Sequence, residues 1–189
     1  MQRRVVRAAL LVLIPLCIYL GAGGLMQLVS GRTIHLASAS NCGAAPAKCD
    51  LPLFLRLGGY DAHAAQAYWV ALCDDDLESE RRFQRLDLAF PLLYGAALGG
   101  ALLLAWRDAG RPVPRALLLA PVAGAMLADW VENLVMLDAL AGFRCTGTPA
   151  TLDAGAIQLA SLATQCKLVL AAVAAVTLVA LVLGRLREG

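Results

Sequence analysis

Asp129, Glu132 and Asn133 stand at i, i+3 and i+4, so a helix places all three on one face. The run that carries them, Ala116 to Leu140, is otherwise apolar apart from Asp138 near its end. A second run, Ala154 to Leu183, holds one charged residue, Lys167, with Thr164 a turn before it on the same face. Asp87 opens a third run, with Pro91 and Tyr94 at i+4 and i+7 from it. Two acids and a lysine in low dielectric do not all stay comfortably charged. The simplest state pairs one carboxylate with Lys167 and keeps the other acid protonated. Such a group titrates as a coupled unit and can hold a proton or bind a polar ligand. Asp129 or Glu132 also has the chemistry of a general acid or base. The same residues serve equally well as interhelical hydrogen-bonding groups with a structural role alone.

Little else in the chain suggests a reaction. It contains no Ser-His-Asp set, His-rich zinc site, phosphate loop or nucleotide fingerprint. His35 and His63 have no third His or paired Cys beside them, so they read as surface residues. Cys73-Asp74-Asp75-Asp76 lacks the Asp-x-Asp-x-Asp-Gly pattern of a calcium loop and reads as a turn with a helix cap. No metal, other cofactor or nucleic-acid partner is expected.

The elements that must position these residues follow from composition. Of 189 residues, 60% are apolar and 16% charged, against about 25% charged in a soluble domain, and mean hydropathy is +0.69. So small a soluble domain has too little interior for that much apolar surface. A soluble globular protein, a disordered tail and a disulfide-rich miniprotein are excluded. About 20 apolar residues span a bilayer as a helix. Four stretches are long enough, so the expected fold is all-α: a four-transmembrane-helix bundle forming a single membrane domain. The predicted spans are about 6–30, 86–107, 115–140 and 156–184, and residues 31–85 form an extracytoplasmic helical loop. Lys167 lies about ten residues into the fourth span, roughly 15 Å deep at 1.5 Å per residue. Asp129 reaches a similar depth from the opposite side.

Arg3, Arg4 and Arg7, then Arg107, Arg111 and Arg115, then Arg185 and Arg187 all fall on one side of four spans. The positive-inside rule makes that side cytoplasmic, with both termini. Arg81, Arg82 and Arg85 oppose the bias from a long loop, where charge counts little. A signal peptide ending near Ala37-Ser38-Ala39 is the rival reading of the first span. Its apolar run is about twice a usual signal core, which favours a retained helix.

In the loop, Asp61 predicts an N-cap for a helix over 62–72, and Asp75 with Glu78 predicts a capping box that restarts a helix into the second span. Cys42, Cys49, Cys73 and Cys145 fall outside, where two disulfides are permitted in three pairings; Cys42–Cys49 with Cys73–Cys145 is the pairing expected. Cys17 and Cys166 fall within spans and are expected to be free thiols. Absence of any Cys-x-x-Cys argues against a quinone-linked thiol oxidoreductase. Gly95 with Gly99, and Gly124 with Ala128, permit close helix contact, either within the bundle or with a second copy or membrane partner. Pro15, Pro91 and Pro121 are expected to loosen or kink their spans, and Trp106 fits an interfacial anchor.

Three segments carry a resemblance: Asp87-Leu88-Ala89-Phe90-Pro91-Leu92-Leu93-Tyr94, Asp129-Trp130-Val131-Glu132-Asn133 and Thr164-Gln165-Cys166-Lys167. With Gly58-Gly59-Tyr60-Asp61, they resemble a group of bacterial four-helix membrane proteins over about residues 55–170. The resemblance implies a bacterial inner-membrane location and the residues on which to concentrate, without implying a reaction. Three functions follow as expectations. The leading one is a polar site at Asp87, Tyr94, Asp129, Glu132, Asn133, Thr164 and Lys167 for a proton, ion or small polar or lipidic ligand. The second is an accessory subunit in which the same cluster is structural. The third is a lipid-acting membrane enzyme.

Overall fold

The computed structural model describes residues 2–30, 53–73, 77–107, 114–145 and 152–187. Cys42, Cys49, His35 and the Asp75 cap lie outside the described residues. The described residues form six α-helices and no strand. These are α1 (Gln2–Ser30), α2 (Ala62–Ala71), α3 (Leu77–Asp87), α4 (Phe90–Arg107), α5 (Arg115–Gly142) and α6 (Ala154–Arg187). Helices α1, α4, α5 and α6 are long and apolar enough to cross a membrane. Their Leu- and Ala-rich sequences are strong helix formers. Leu92, Leu127, Leu134, Leu162 and Val169 point outward. In water such faces would be a costly apolar surface; against lipid they are at home.

Contacts divide the chain into two compact units. The first comprises residues 1–24, 90–127 and 166–189. Its core joins Ala8, Leu102, Ala105, Val122, Ala174 and Leu178. Small residues allow close approach here. A Cβ on Gly95 would overlap Met126 of α5, and one on Gly99 would touch Leu119 at 3.7 Å. Tyr19, Phe90 and Tyr94 form an aromatic cluster with centroids 5.1–6.2 Å apart. The Arg115 guanidinium lies 5.0 Å from the Trp106 ring, a cation–π contact.

The second unit comprises residues 25–89 and 128–165. Its apolar core joins Leu53, Tyr68, Trp69, Met136, Leu140, Phe143 and Ile157, with Trp69 edge-on to Phe143 at 5.5 Å. Asp61 caps α2 as expected, accepting from the Ala64 N–H at 2.7 Å, and the helix ends at Ala71 with Leu72 as C-cap. Gly59 has φ +78°, and a Cβ there would meet Ser161 Oγ at 2.8 Å. The adjacent Tyr60 N–H donates to that same hydroxyl at 2.8 Å, fastening the loop to α6. Cys73 and Cys145 are disulfide-bonded with Cα atoms 5.4 Å apart, joining the C-terminal ends of α2 and α5. Cys17 and Cys166 are free thiols and exposed.

One boundary departs from expectation. The predicted second span runs unbroken from 86 to 107, whereas α3 stops at Asp87 and α4 begins at Phe90 after a turn. Pro91 has no N–H for the Asp87 carbonyl, and its ring crowds the preceding turn. Pro91 therefore separates two helices and occupies the first turn of the second, where proline is tolerated. Pro15 and Pro121 differ, since α1 and α5 continue through them.

Candidate functional site

The buried polar side chains of the second unit come from three helices. Helix α3 contributes Glu80, Gln84 and Asp87 at i, i+4 and i+7, the spacing of one face. Helix α5 contributes Asp129, Glu132 and Asn133, at most 3% exposed. Helix α6 contributes Ser161 and Thr164. Of the sequence-derived candidates, Asp87, Asp129, Glu132, Asn133 and Thr164 therefore belong to this unit's interior. Tyr94 and Lys167 belong to the first unit, Tyr94 in its aromatic cluster and Lys167 half-buried on α6.

The motif on α5 is explained in part by the break before α4. The Asn133 amide donates to the Asp87 carbonyl at 3.2 Å, the oxygen that Pro91 cannot serve. The Trp130 indole N–H donates to the Leu88 carbonyl at 2.9 Å. Two α5 side chains thus satisfy backbone oxygens freed where helix α3 ends. The Asn133 Nδ2 also reaches Asp129 Oδ1 at 3.5 Å. With two acceptors before it, the amide orientation is set, because a flip would place oxygen against oxygen.

That orientation leaves Asn133 Oδ1 buried without a hydrogen-bond donor, and Gln84 Oε1 is in the same state. Thr164 Oγ1 donates to the Ala160 carbonyl at 3.0 Å and lies 3.5 Å from the Tyr60 hydroxyl, which in turn reaches Met136 Sδ at 3.7 Å. The interior holds four carboxyl groups and two amide oxygens without a hydrogen-bond donor, against a buried donor without an acceptor, Trp69 Nε1. Among the described residues, no three His, Cys, Asp or Glu side chains converge closely enough to hold a metal ion.

Glu80 and Gln84 are the members that sequence reasoning missed. They lie in Leu77-Glu78-Ser79-Glu80-Arg81-Arg82-Phe83-Gln84-Arg85, which reads as a solvated charged helix. The available signal was their register with Asp87. The opposite face carries Glu78, Arg82 and Arg85 to the exterior. No protein-family model, curated protein or solved structure matches this chain.

Proposed function

We propose that this is a small polytopic membrane protein whose acidic, acceptor-rich interior takes a hydrogen-bond donor, in the first place a proton. The observation that carries this is the pair of buried, unsatisfied oxygens, Asn133 Oδ1 and Gln84 Oε1, among four buried carboxyl groups. Each such oxygen costs about 1–3 kcal/mol unless a donor reaches it. A proton on a carboxyl group, or a small donor-bearing ligand, offsets that cost; an anion does not. Asp87, Asp129, Glu132, Asn133 and Thr164 form the site. Lys167, one turn beyond Thr164 on α6, is proposed as the countercharge from its depth in the sequence. Tyr94 remains a candidate on the same ground.

The test has two parts. Lys167→Met should lower the thermal stability of the purified protein, since it removes a countercharge from buried acids. Adding Asp129→Asn or Glu132→Gln should restore part of the loss, as contacting sites couple. Additive losses would remove Lys167 from the site. Infrared difference spectra should then show a protonated-carboxyl band that Glu132→Gln or Asp87→Asn abolishes. Absence of any such band across the pH range of the folded protein would overturn the proton reading.

The second reading is an accessory subunit with a structural cluster. It is favoured by the Trp130 and Asn133 bonds, both to backbone oxygens at the α3–α4 break.

A further inference from the structure

A cleft of about 310 Å³ opens beside the disulfide, lined by Cys73, Leu77, Glu78, Arg81, Phe143, Arg144 and Cys145. Cys145 is exposed and Cys73 half-buried, so the bond forms part of an accessible wall. Two guanidinium groups share that wall with one carboxylate. Arg81 is heavily committed: it donates to the Leu140 and Phe143 carbonyls at 3.2 and 3.1 Å and lies 3.6 Å from Glu78. Arg144 makes one exposed 3.3 Å bond to the Ala141 carbonyl, which leaves most of its donors for the cleft.

These charges matter because of where the cysteines sit. Both follow the C-terminal ends of helices, whose partial negative charge disfavours a thiolate. Left alone, that placement would make either sulfur a poor leaving group. Arg81 donates to one of the last carbonyls of α5 and to the Phe143 carbonyl just beyond it, offsetting part of that negative end, and Arg144 adds positive charge beside Cys145. A nearby cation draws an anionic thiolate toward the sulfur it attacks, and it lowers the pKa of the Cys145 thiol, so that Cys145 is released more readily when its turn comes to leave.

We propose that Cys73–Cys145 is a thiol–disulfide exchange site, whose substrate is a dithiol that enters this cleft. One thiolate of the dithiol attacks Sγ of Cys145, the more exposed residue of the pair. The Cys73–Cys145 bond breaks as the new sulfur–sulfur bond forms, and the electron pair leaves on Cys73 Sγ. The second thiolate of the dithiol attacks its own bridged sulfur, closes the dithiol's disulfide and releases Cys145 as a thiolate. The dithiol loses two electrons, the protein disulfide gains them, and the dithiol's two protons pass through water to the two cysteines.

The experiment uses the full chain in lipid nanodiscs, with Cys17 and Cys166 blocked and dithiothreitol as the probe. Alkylation and mass spectrometry follow Cys73 and Cys145 with time, without denaturant. Both should become reduced in the folded protein, at a rate proportional to dithiothreitol. Arg144→Gln should slow the reaction about fivefold, the scale of one charge at close range in a wet site, and Arg144→Lys should restore it. Arg144 is chosen because Arg81 also caps α5. An unchanged thermal midpoint of oxidised Arg144→Gln shows that this variant folds. Reduction that requires denaturant, or proceeds at the wild-type rate in Arg144→Gln, overturns the proposal.

Discussion

Trp130 and Asn133 are polar side chains whose hydrogen atoms go to main-chain oxygens, and this defines their energetic role. Each bond serves a carbonyl at the α3–α4 break, and the Asp87 oxygen is the one that Pro91 has deprived of its helical partner. Leaving a buried carbonyl unserved costs about 1–3 kcal/mol. Trp130→Phe and Asn133→Leu should each lower the unfolding midpoint of the detergent-solubilised protein by that order. Pro91→Ala supplies an N–H at residue 91, so Asn133→Leu should cost less in that background than in the wild type. Equal costs in both backgrounds would show that Asn133 contributes by packing alone. The sequence exposes the ingredients, Asp87, Pro91 and the Asp129–Asn133 motif, as separate features. Their relation was hidden because a proline near a span reads as a kink, whereas here it ends one helix and begins another.

Between elements, close approach depends on missing side chains. A Cβ on Gly95 has no room beside Met126, so α4 and α5 meet across a glycine within the first unit. Gly95→Leu should destabilise by about 1–3 kcal/mol, the usual cost of overpacking. Met126 is unbranched and adaptable. Gly95→Ala should therefore be mild, and Met126→Ala should relieve Gly95→Leu in a thermal-shift series. A Gly95→Leu variant as stable as wild type would mean that the helices separate freely at this level. Long apolar runs made α1, α4, α5 and α6 legible, because a run needs no partner to identify it. Asp61 was legible as a cap for the same reason: its bond is local. The inward face of α3 was not. Glu80, Gln84 and Asp87 are buried by what α3 packs against, and hydropathy assigns such residues to water.

For the molecule as a whole, we propose the topology that the basic clusters imply, with both termini and Arg111 cytoplasmic. Arg111→Cys should react with a membrane-impermeant maleimide in inside-out vesicles, and Lys48→Cys in whole cells. Labelling of Lys48→Cys from the cytoplasmic side alone would reverse the orientation. The disulfide spans 72 residues of sequence, which in the chain-entropy model corresponds to about 4 kcal/mol of stabilisation. That long span also has a meaning for biogenesis. Synthesis runs from the N-terminus, so Cys73 emerges well before Cys145, and three other cysteines, Cys17, Cys42 and Cys49, precede it. During that interval any disulfide that Cys73 forms within the chain is with a wrong partner upstream. Its correct partner arrives after α5 has been made, once the core residues Met136 and Leu140 of α5 and Phe143 just beyond it are present. Closure of Cys73 onto Cys145 therefore marks the stage at which α2 ceases to be a waiting segment and becomes one body with α5.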